Sequence, residues 1–401
     1  MKYIKFLSFF TFLIFSINVK AQWVPASGGI PNLTVTSLVS NGNVIYCCGP
    51  FIYIYKTTNA GLNWNSTSLV GNYTDKLASS NNYVYALQNN KIYSSSDAGA
   101  TWILIRPFIN YLKGCLTASN NVVLAGEWQE CSILSTDSGL NWNYRCPPDI
   151  GTLGSDGSNF FAGNGSVIYF STNNGSTFTP SNLGPYANCF AANGNNVFAG
   201  KNAMGVYHST DFGATYVQTT LNNLDVISLV VTGSNVFAGT DSSGVHLSTN
   251  NGTSWTQINQ GMGNLRVNTL LINGNYVYAG TTNYSVWKRL LSEVLSVPQI
   301  SSEVPEKYSL LQNYPNPFNP STNIKFNIPA VGNAYMRSVQ LKIYDALGKE
   351  IAVLVNEQLK PGSYEVTWDA SNYPSGVYFY KLVGDNNNGE FTKTKKMVLL
   401  K

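Results

Sequence analysis

Residues 227–258 read ISLVVTGSNVFAGTDSSGVHLSTNNGTSWTQI, and this stretch decides the fold. Val, Ile and Phe alternate with polar residues over short runs, and Gly, Asn, Asp and Ser break the runs. That pattern marks short strands joined by tight turns. The unit predicts an inner strand, a turn, a second strand ending in Ala-Gly, a loop, a third strand, and a tight turn closed by an aromatic. The turn recurs as TTNAGLNW (57–64), SSDAGATW (95–102), STDSGLNW (135–142), STNNGSTF (171–178), STDFGATY (209–216) and STNNGTSW (248–255). Its Asp or Asn falls at positions 59, 97, 137, 173, 211 and 250, so the spacing runs from 36 to 40 residues. A period near 40 is the length of one four-stranded propeller blade.

A further unit starts at Thr269 (TLLINGNYVYAGTTNYSVWKRL) and stops before its turn and last strand. The missing strand lies at the other end: Gln22-Trp23-Val24-Pro25 followed by GGIPN aligns with Ser254-Trp255-Thr256-Gln257 followed by GMGN. The expected fold is therefore all-β, a seven-bladed propeller over 22–290 whose N-terminal strand closes the last blade. A miscounted end unit would make six or eight blades.

Composition agrees. The 401 residues include 35 Gly and 25 Tyr, and only 11% are charged, against about 25% in an ordinary soluble protein. This excludes a coiled coil and a charged disordered tail. Residues 1–21 read as a secretory signal: Lys2 and Lys5 lead an apolar run from Phe6 to Ile17, and Val19-Lys20-Ala21 offers a cleavage site before Gln22. No Cys directly follows that site, and no later apolar run is long enough to span a bilayer. Removing Lys2, Lys5 and Lys20 leaves 21 basic and 20 acidic residues, a net +1, so the chain lacks the basic field of a nucleic-acid binder. Export permits disulfides, but the six Cys allow 15 pairings. Cys47-Cys48 reads as buried thiols or as two separate disulfides. Cys131 and Cys146 share one predicted blade and are a candidate pair.

The turns resemble the Asp-box, or BNR, repeat, found in propellers of sialidases, other glycoside hydrolases and the sortilin ectodomain. The resemblance implies that Asn59, Asp97, Asp137, Asn173, Asp211 and Asn250 lie on the face away from the ligand site. The motif's physics is structural: the Asx side chain bonds backbone N–H groups and Gly supplies a positive φ. Three copies carry Asn, which keeps the turn but cannot serve as a general acid.

Residues 291–307 read as a linker, and the character changes from Tyr308. Strands separated by Pro, Gly and Asn predict a small Ig-like antiparallel sandwich over 308–401. Tyr314-Pro315-Asn316-Pro317-Phe318, Tyr344-Asp345 with Gly348-Lys349, Gly362-x-Tyr364, and Gly376-Val377-Tyr378 followed by a basic end resemble the type A C-terminal sorting domain of the type IX secretion system. The resemblance implies a Bacteroidetes-type bacterium, Sec export, contact of residues 308–401 with the type IX machinery, removal of the tail, and a product either released or held on the cell surface.

The search for chemistry returns little. His208 and His246 occupy matching strand positions in neighbouring repeats, and no metal-ligand spacing occurs. A sialidase would need three Arg around its substrate carboxylate, and residues 22–307 hold only Arg106, Arg145, Arg266 and Arg289. Other propeller glycosidases need two carboxylates. On the face opposite the turns the candidates are Glu127, Asp149 and Asp225, with Glu130 and Asp241 in the same set of loops. Trp128 beside two acids suits a sugar face, as do Phe108, Tyr111, Tyr186 and Tyr284. The reading is an exported propeller binding an extracellular carbohydrate or protein through Tyr111, Trp128, Glu130, Tyr186, Asp241 and Tyr284, with no cofactor. The alternatives are an Asp-box glycoside hydrolase and a protein-assembly factor resembling the photosystem-assembly propellers.

Overall fold

The computed structural model describes residues 22–50, 53–69, 73–107, 112–127, 131–148, 150–163, 165–295, 299–301, 303–330, 337–370, 373–386 and 389–400. Seven four-stranded antiparallel sheets follow one another along residues 24–290. Six of them take their strands in simple sequence order. Their innermost strands are Ser37–Asn41 (blade 1), Thr74–Ser80 (blade 2), Leu112–Ser119 (blade 3), Thr152–Asp156 (blade 4), Ala187–Asn193 (blade 5) and Val226–Thr232 (blade 6). Blade 7 is built from Val267–Asn273, Tyr276–Thr281 and Val286–Leu290, and its outer strand is Val24–Pro25 from the N-terminal end. Val24 pairs with Lys288 and Pro25 with Trp287.

The turn between third and fourth strands is a two-part clamp. In blade 2 the Ser95 hydroxyl donates to Asp97 Oδ1 at 2.9 Å and accepts the Gly99 N–H at 2.8 Å. Asp97 Oδ1 accepts the Thr101 N–H at 2.9 Å, and Thr101 Oγ1 donates to Asp97 Oδ2 at 2.5 Å. The same hydroxyl-to-Asx bond forms from Thr57, Ser135, Ser171, Ser209 and Ser248. The buried hydroxyl two residues ahead of the Asx is thus half of the device. Asn59, Asn173 and Asn250 accept through Oδ1 as the Asp residues do, so charge is dispensable for the turn. The Gly that follows takes a positive φ, 77° at Gly99, and the residue before it does so too, 56° at Ala98.

The Ala-Gly ending of the second strand serves blade-to-blade packing. A Cβ at Gly200 would sit 2.7 Å from Val226 Cγ1 of the next blade, at Gly239 2.8 Å from Val267 Cγ1, and at Gly280 2.7 Å from Val35 Cγ1. The valine of each following blade fills the space that glycine leaves, and all three are fully buried. Cys48 takes the glycine position in blade 1, and its thiol contacts the Thr74 carbonyl of blade 2 at 3.6 Å. Cys47, Cys48 and Cys189 are free thiols, and burial pushes Cys189 up to about 12. The side chains of Cys131 and Cys146 lie outside the described residues.

On the turn face, the last residue of the first strand reaches the next blade's hairpin. Asn41 Nδ2 donates to the Tyr83 carbonyl at 3.0 Å, Ser119 Oγ to Gly157 at 2.7 Å, Asn193 Nδ2 to Gly233 at 3.1 Å and Asn273 Nδ2 to Gly42 at 3.0 Å. Asp156 closes its junction in the opposite sense, accepting the Gly194 N–H at 2.8 Å.

Residues 291–307 do more than link. Leu291–Val294 forms one helical turn whose Leu291 and Val294 pack on the blade 6–7 core containing Trp23 and Trp287. Gln299–Ser301 adds an edge strand to the C-terminal sandwich by pairing with Gly362–Asp369. That sandwich packs the sheet Gln299–Ser301, Gly362–Asp369, Ser321–Ile328, Ser309–Leu310 on the sheet Glu350–Leu359, Arg337–Tyr344, Gly376–Asn386, Gly389–Leu399. Phe326, Ile343, Tyr380 and Trp368 lie in its core.

Two outcomes follow. Trp23→Ala removes a fully buried indole and is expected to cost about 3–5 kcal/mol of stability in denaturant unfolding. The bonds from Thr101, side chain first and then backbone, hold Asp97 at about 2, below the usual carboxylate range. Their contribution is therefore complete above the unfolded value of about 3.9 and is lost as pH falls through about 2. The melting-temperature gap between wild type and Asp97→Asn should close between pH 5 and pH 2. A gap unchanged over that range would contradict this.

Candidate functional site

Strand order places two sets of loops on the face opposite the turns: those between second and third strands, and those leading from one blade to the next. Here long-range bonds decide what each polar residue does. Asp225, just before the first strand of blade 6, accepts the Ala203 N–H through Oδ1. Ala203 is at the tip of the blade 5 loop with φ 51°, so the carboxylate pins a left-handed turn. The Asp225 carbonyl accepts the Asp241 N–H at 3.0 Å. Asp241 in turn pairs with Arg266 Nε at 3.0 Å, with both side chains more than a third exposed. Asn264 Nδ2 then donates to the Thr282 carbonyl at 2.6 Å, and Thr34 Oγ1 bonds Asn283 Oδ1 at 3.2 Å across the closing seam. Asp225, Asp241 and Arg266 are links of a rim chain running from blade 5 to blade 1.

The other sequence candidates divide. Tyr186 and Tyr284 are strongly exposed on this face. Glu127 ends the second strand of blade 3, and its side chain lies outside the described residues, as do Phe108, Tyr111, Trp128, Glu130 and Asp149. Sequence reading passed over Tyr53, Tyr73, Met204 and Leu265, all exposed in these same loops. The signal was there: each lies between segments whose strand assignment was already clear.

The arginines and histidines are structural. Arg289 is buried and donates through Nη1 to the Ile258 carbonyl at 2.8 Å and to Gln260 Oε1 at 3.1 Å. Arg106 ends the outer strand of blade 2, so Arg106, Arg266 and Arg289 do not converge. The Arg145 side chain lies outside the described residues. His208 stacks on Phe198 at 4.4 Å and bonds Asn196 Oδ1 at 2.9 Å; burial depresses it to about 4. His246 contacts Ser243 Oγ at 3.1 Å, and burial depresses it too. Among the described residues no three His, Cys, Asp or Glu gather as a metal site.

Two cavities lie off this face. One of about 450 Å³ is in the sandwich, lined by Tyr344, Asp345, Leu347, Gly348 and Phe379. The other, about 430 Å³, lies on the turn face between blades 1 and 2, lined by Asn41, Tyr46, Tyr83 and Ser95.

The C-terminal motifs form a strap and a turn. Phe318 is buried against Trp368 at 5.5 Å. Its N–H donates to the Val398 carbonyl and its carbonyl accepts from Leu400, both at 3.0 Å, while Asn316 Oδ1 accepts the Val398 N–H at 3.0 Å. The Pro315 carbonyl accepts Thr322 Oγ1 at 2.8 Å, and Tyr314 stays exposed. Residues 314–318 thereby cover the end of the last strand, whose outer edge no other strand pairs among the described residues. Asp345 Oδ1 accepts the N–H groups of Leu347 and Lys349 at 2.9 Å, and Gly348 turns with φ 81°. Gly376 opens the strand that carries Tyr378, whose hydroxyl bonds the Pro374 carbonyl at 2.7 Å.

Residues 312–400 match the family model described as a secretion system C-terminal sorting domain. Among curated proteins, no sequence matches the chain. Solved structures that resemble it include the following three. YCF48 bound to D1 peptide is 14% identical, covering 67% of this chain and 96% of that one, with a TM-score of 0.54. PorZ, a surface component of the type-IX secretion system of Porphyromonas gingivalis, is 14% identical over 94% of this chain and 61% of that one, at 0.53. The GH74 xyloglucanase of Xanthomonas campestris is 12% identical over 93% and 69%, at 0.55. Such identities carry the fold alone. The chain is a β-propeller with a type IX secretion sorting domain at its C-terminal end, addressed to the cell surface or beyond. No helix among the described residues is long and apolar enough to cross a membrane.

Removing the Asp225 carboxylate should loosen the blade 5 loop without unfolding the ring. In Asp225→Ala the Ala203 amide is expected to exchange with solvent at least tenfold faster, while amides of the innermost strands keep their protection. Unchanged exchange at Ala203 would mean that the carboxylate does not hold the loop.

Proposed function

We propose that the chain is a non-catalytic binding propeller, exported with residues 1–21 as its leader, with 22–290 as the Asp-box propeller and 308–401 as the tail read by the type IX machinery. Its ligand is an extracellular carbohydrate or protein, taken on the face opposite the Asp-box turns. One observation carries the reading. That face exposes Tyr53, Tyr73, Tyr186 and Tyr284, while Asp225 and Asp241 are engaged in holding loops. Aromatic side chains that cost solvation and add nothing to the core are the usual anchors of a binding surface. The hydrolase alternative rests on Glu127 and Asp149.

The test is to incubate the chain lacking residues 1–21 with extracellular polysaccharides and proteins, then separate bound from free protein and analyse the supernatant by mass spectrometry. Retention on a ligand that stays intact is the expected result. Released oligosaccharides would make the protein a hydrolase, with Glu127 and Asp149 the first substitutions. Retention on nothing would overturn the binding reading.

A further inference from the structure

The sandwich sheet Glu350–Leu359, Arg337–Tyr344, Gly376–Asn386, Gly389–Leu399 has two unlike faces. Leu341, Ile343, Tyr380 and Leu382 point into the core and are fully buried. Residues one step along each strand lie on the outer face, where an antiparallel sheet that meets water is expected to be polar. Much of this face is apolar. Register sets Tyr344 opposite Phe379, Val377 opposite Val398, and Val353 opposite Lys342. Val353 and Val377 are 43% and 39% exposed. The turn after Tyr344 adds Leu347. Asp345 braces that turn by accepting the N–H groups of Leu347 and Lys349, and Leu347 is 94% exposed at its tip. An aliphatic side chain held out in water on a braced turn adds nothing to the core. Turn and sheet together enclose the cavity of about 450 Å³, whose lining includes Tyr344, Leu347, Phe379, Lys381 and Thr394.

The same face carries fixed positive charge. Lys381 stands opposite Lys342 on one side and Thr394 on the other, and Lys396 stands opposite Phe379. Lys342 is neutralised by Glu350 at 3.2 Å. Lys381 and Lys396 form no ion pair among the described residues. Apolar side chains flanked by two unpaired ammonium groups fit a surface that offers apolar groups beside carboxylates. A second copy of the chain fits poorly, because face on face it would set these lysines against their own kind. The neighbouring free edge of Gly389–Leu399 is a poorer receptor for a strand: residues 314–318 cover its end, and Lys393, Lys395 and Lys396 guard the rest. Residues 312–400 match a sorting domain, and a module that addresses a chain to a secretion system has to be bound by part of that system. We propose that this outer face, centred on Leu347, Phe379 and Lys381, is the surface by which the tail is read. Its partner is a type IX secretion component that presents apolar side chains beside Asp or Glu carboxylates. The proposal rests on the reading of 308–401 as the tail recognised by that machinery.

The experiment expresses the full chain in a bacterium that has a type IX system and measures how much of it reaches the cell surface and the medium. Melting temperature and oligomeric state are measured on the same variants of the chain lacking residues 1–21. Leu347→Ser should lower export at least tenfold and Lys381→Glu several-fold, while Lys381→Arg, which keeps the charge, should recover most of it. Leu311 is exposed beside the other sheet, and Leu311→Ser should export as the wild type does. Each variant should melt within a few degrees of the wild type, since none of these side chains is buried in the core. Export of a chain lacking 308–401 would overturn the reading of the tail itself. With that chain retained in the cell, normal export of Leu347→Ser and Lys381→Glu would overturn the face. A block by Leu311→Ser would do the same, as would a marked fall in the melting temperature of Leu347→Ser, which would assign that leucine to the fold. A wild type that dimerises, and that Leu347→Ser makes monomeric, would make a second copy the occupant and overturn the secretion partner.

Discussion

The carbonyl of Ile258 accepts two hydrogen bonds, from Trp23 Nε1 at 2.6 Å and from Arg289 Nη1 at 2.8 Å. One donor directly precedes the first strand of the described chain, the other lies in the last strand of the propeller, and the acceptor belongs to the blade before. Ring closure passes through that point. A propeller held open would present two unpaired strand edges and would lose the packing of its first blade on its seventh. Both donors lie in an almost water-free environment, where leaving either unpaired costs more than an exposed bond gains. A buried guanidinium is tolerable here because its bonds to Ile258 and Gln260 take up part of its donor capacity where water cannot.

Once the ring is closed, the two faces carry different chemistry. The turn face is the more tightly tied. Each hydroxyl–Asx clamp bonds its own backbone, and strand-end Asn, Ser and Asp residues tie most hairpins to the next. The loop face is only partly latched, from blade 5 round to blade 1, by Asp225, Asp241, Arg266 and Asn264. What remains exposed there includes Tyr53, Tyr73, Tyr186 and Tyr284 together with Met204 and Leu265. The strands beneath are held from the turn face.

The sequence made the repeat legible because its signals are local. Ser or Thr, Asx, Gly and an aromatic within eight residues define the clamp, and one spare strand at each end of the array implies closure. The tail motifs were legible for the same reason. Long-range partners were not. Nothing around Asp225 announces that its carboxylate will meet Ala203, 22 residues upstream in sequence, and Arg289 meets Ile258 from 31 residues away. Gln299–Ser301 has no period of its own, and it becomes a strand only because Gly362–Asp369 offers it an edge.

The positive φ of Tyr186 shows the limit most clearly. Left-handed backbone is inferred from Gly or Asn, and the sequence Gly184-Pro185-Tyr186-Ala187 places the glycine two residues early. Pro185 holds its own φ near −65°, so the turn that brings the chain back to the innermost strand must be completed at Tyr186. A glycine or asparagine there would complete it at lower cost, as these residues do in most turns of this chain. The choice of tyrosine runs against local preference, and its ring lies against Gly165 of the blade 4 loop. Such a mismatch between local rule and residue becomes visible only once the backbone is known. Phe212 shows none, because its sister turns share its backbone.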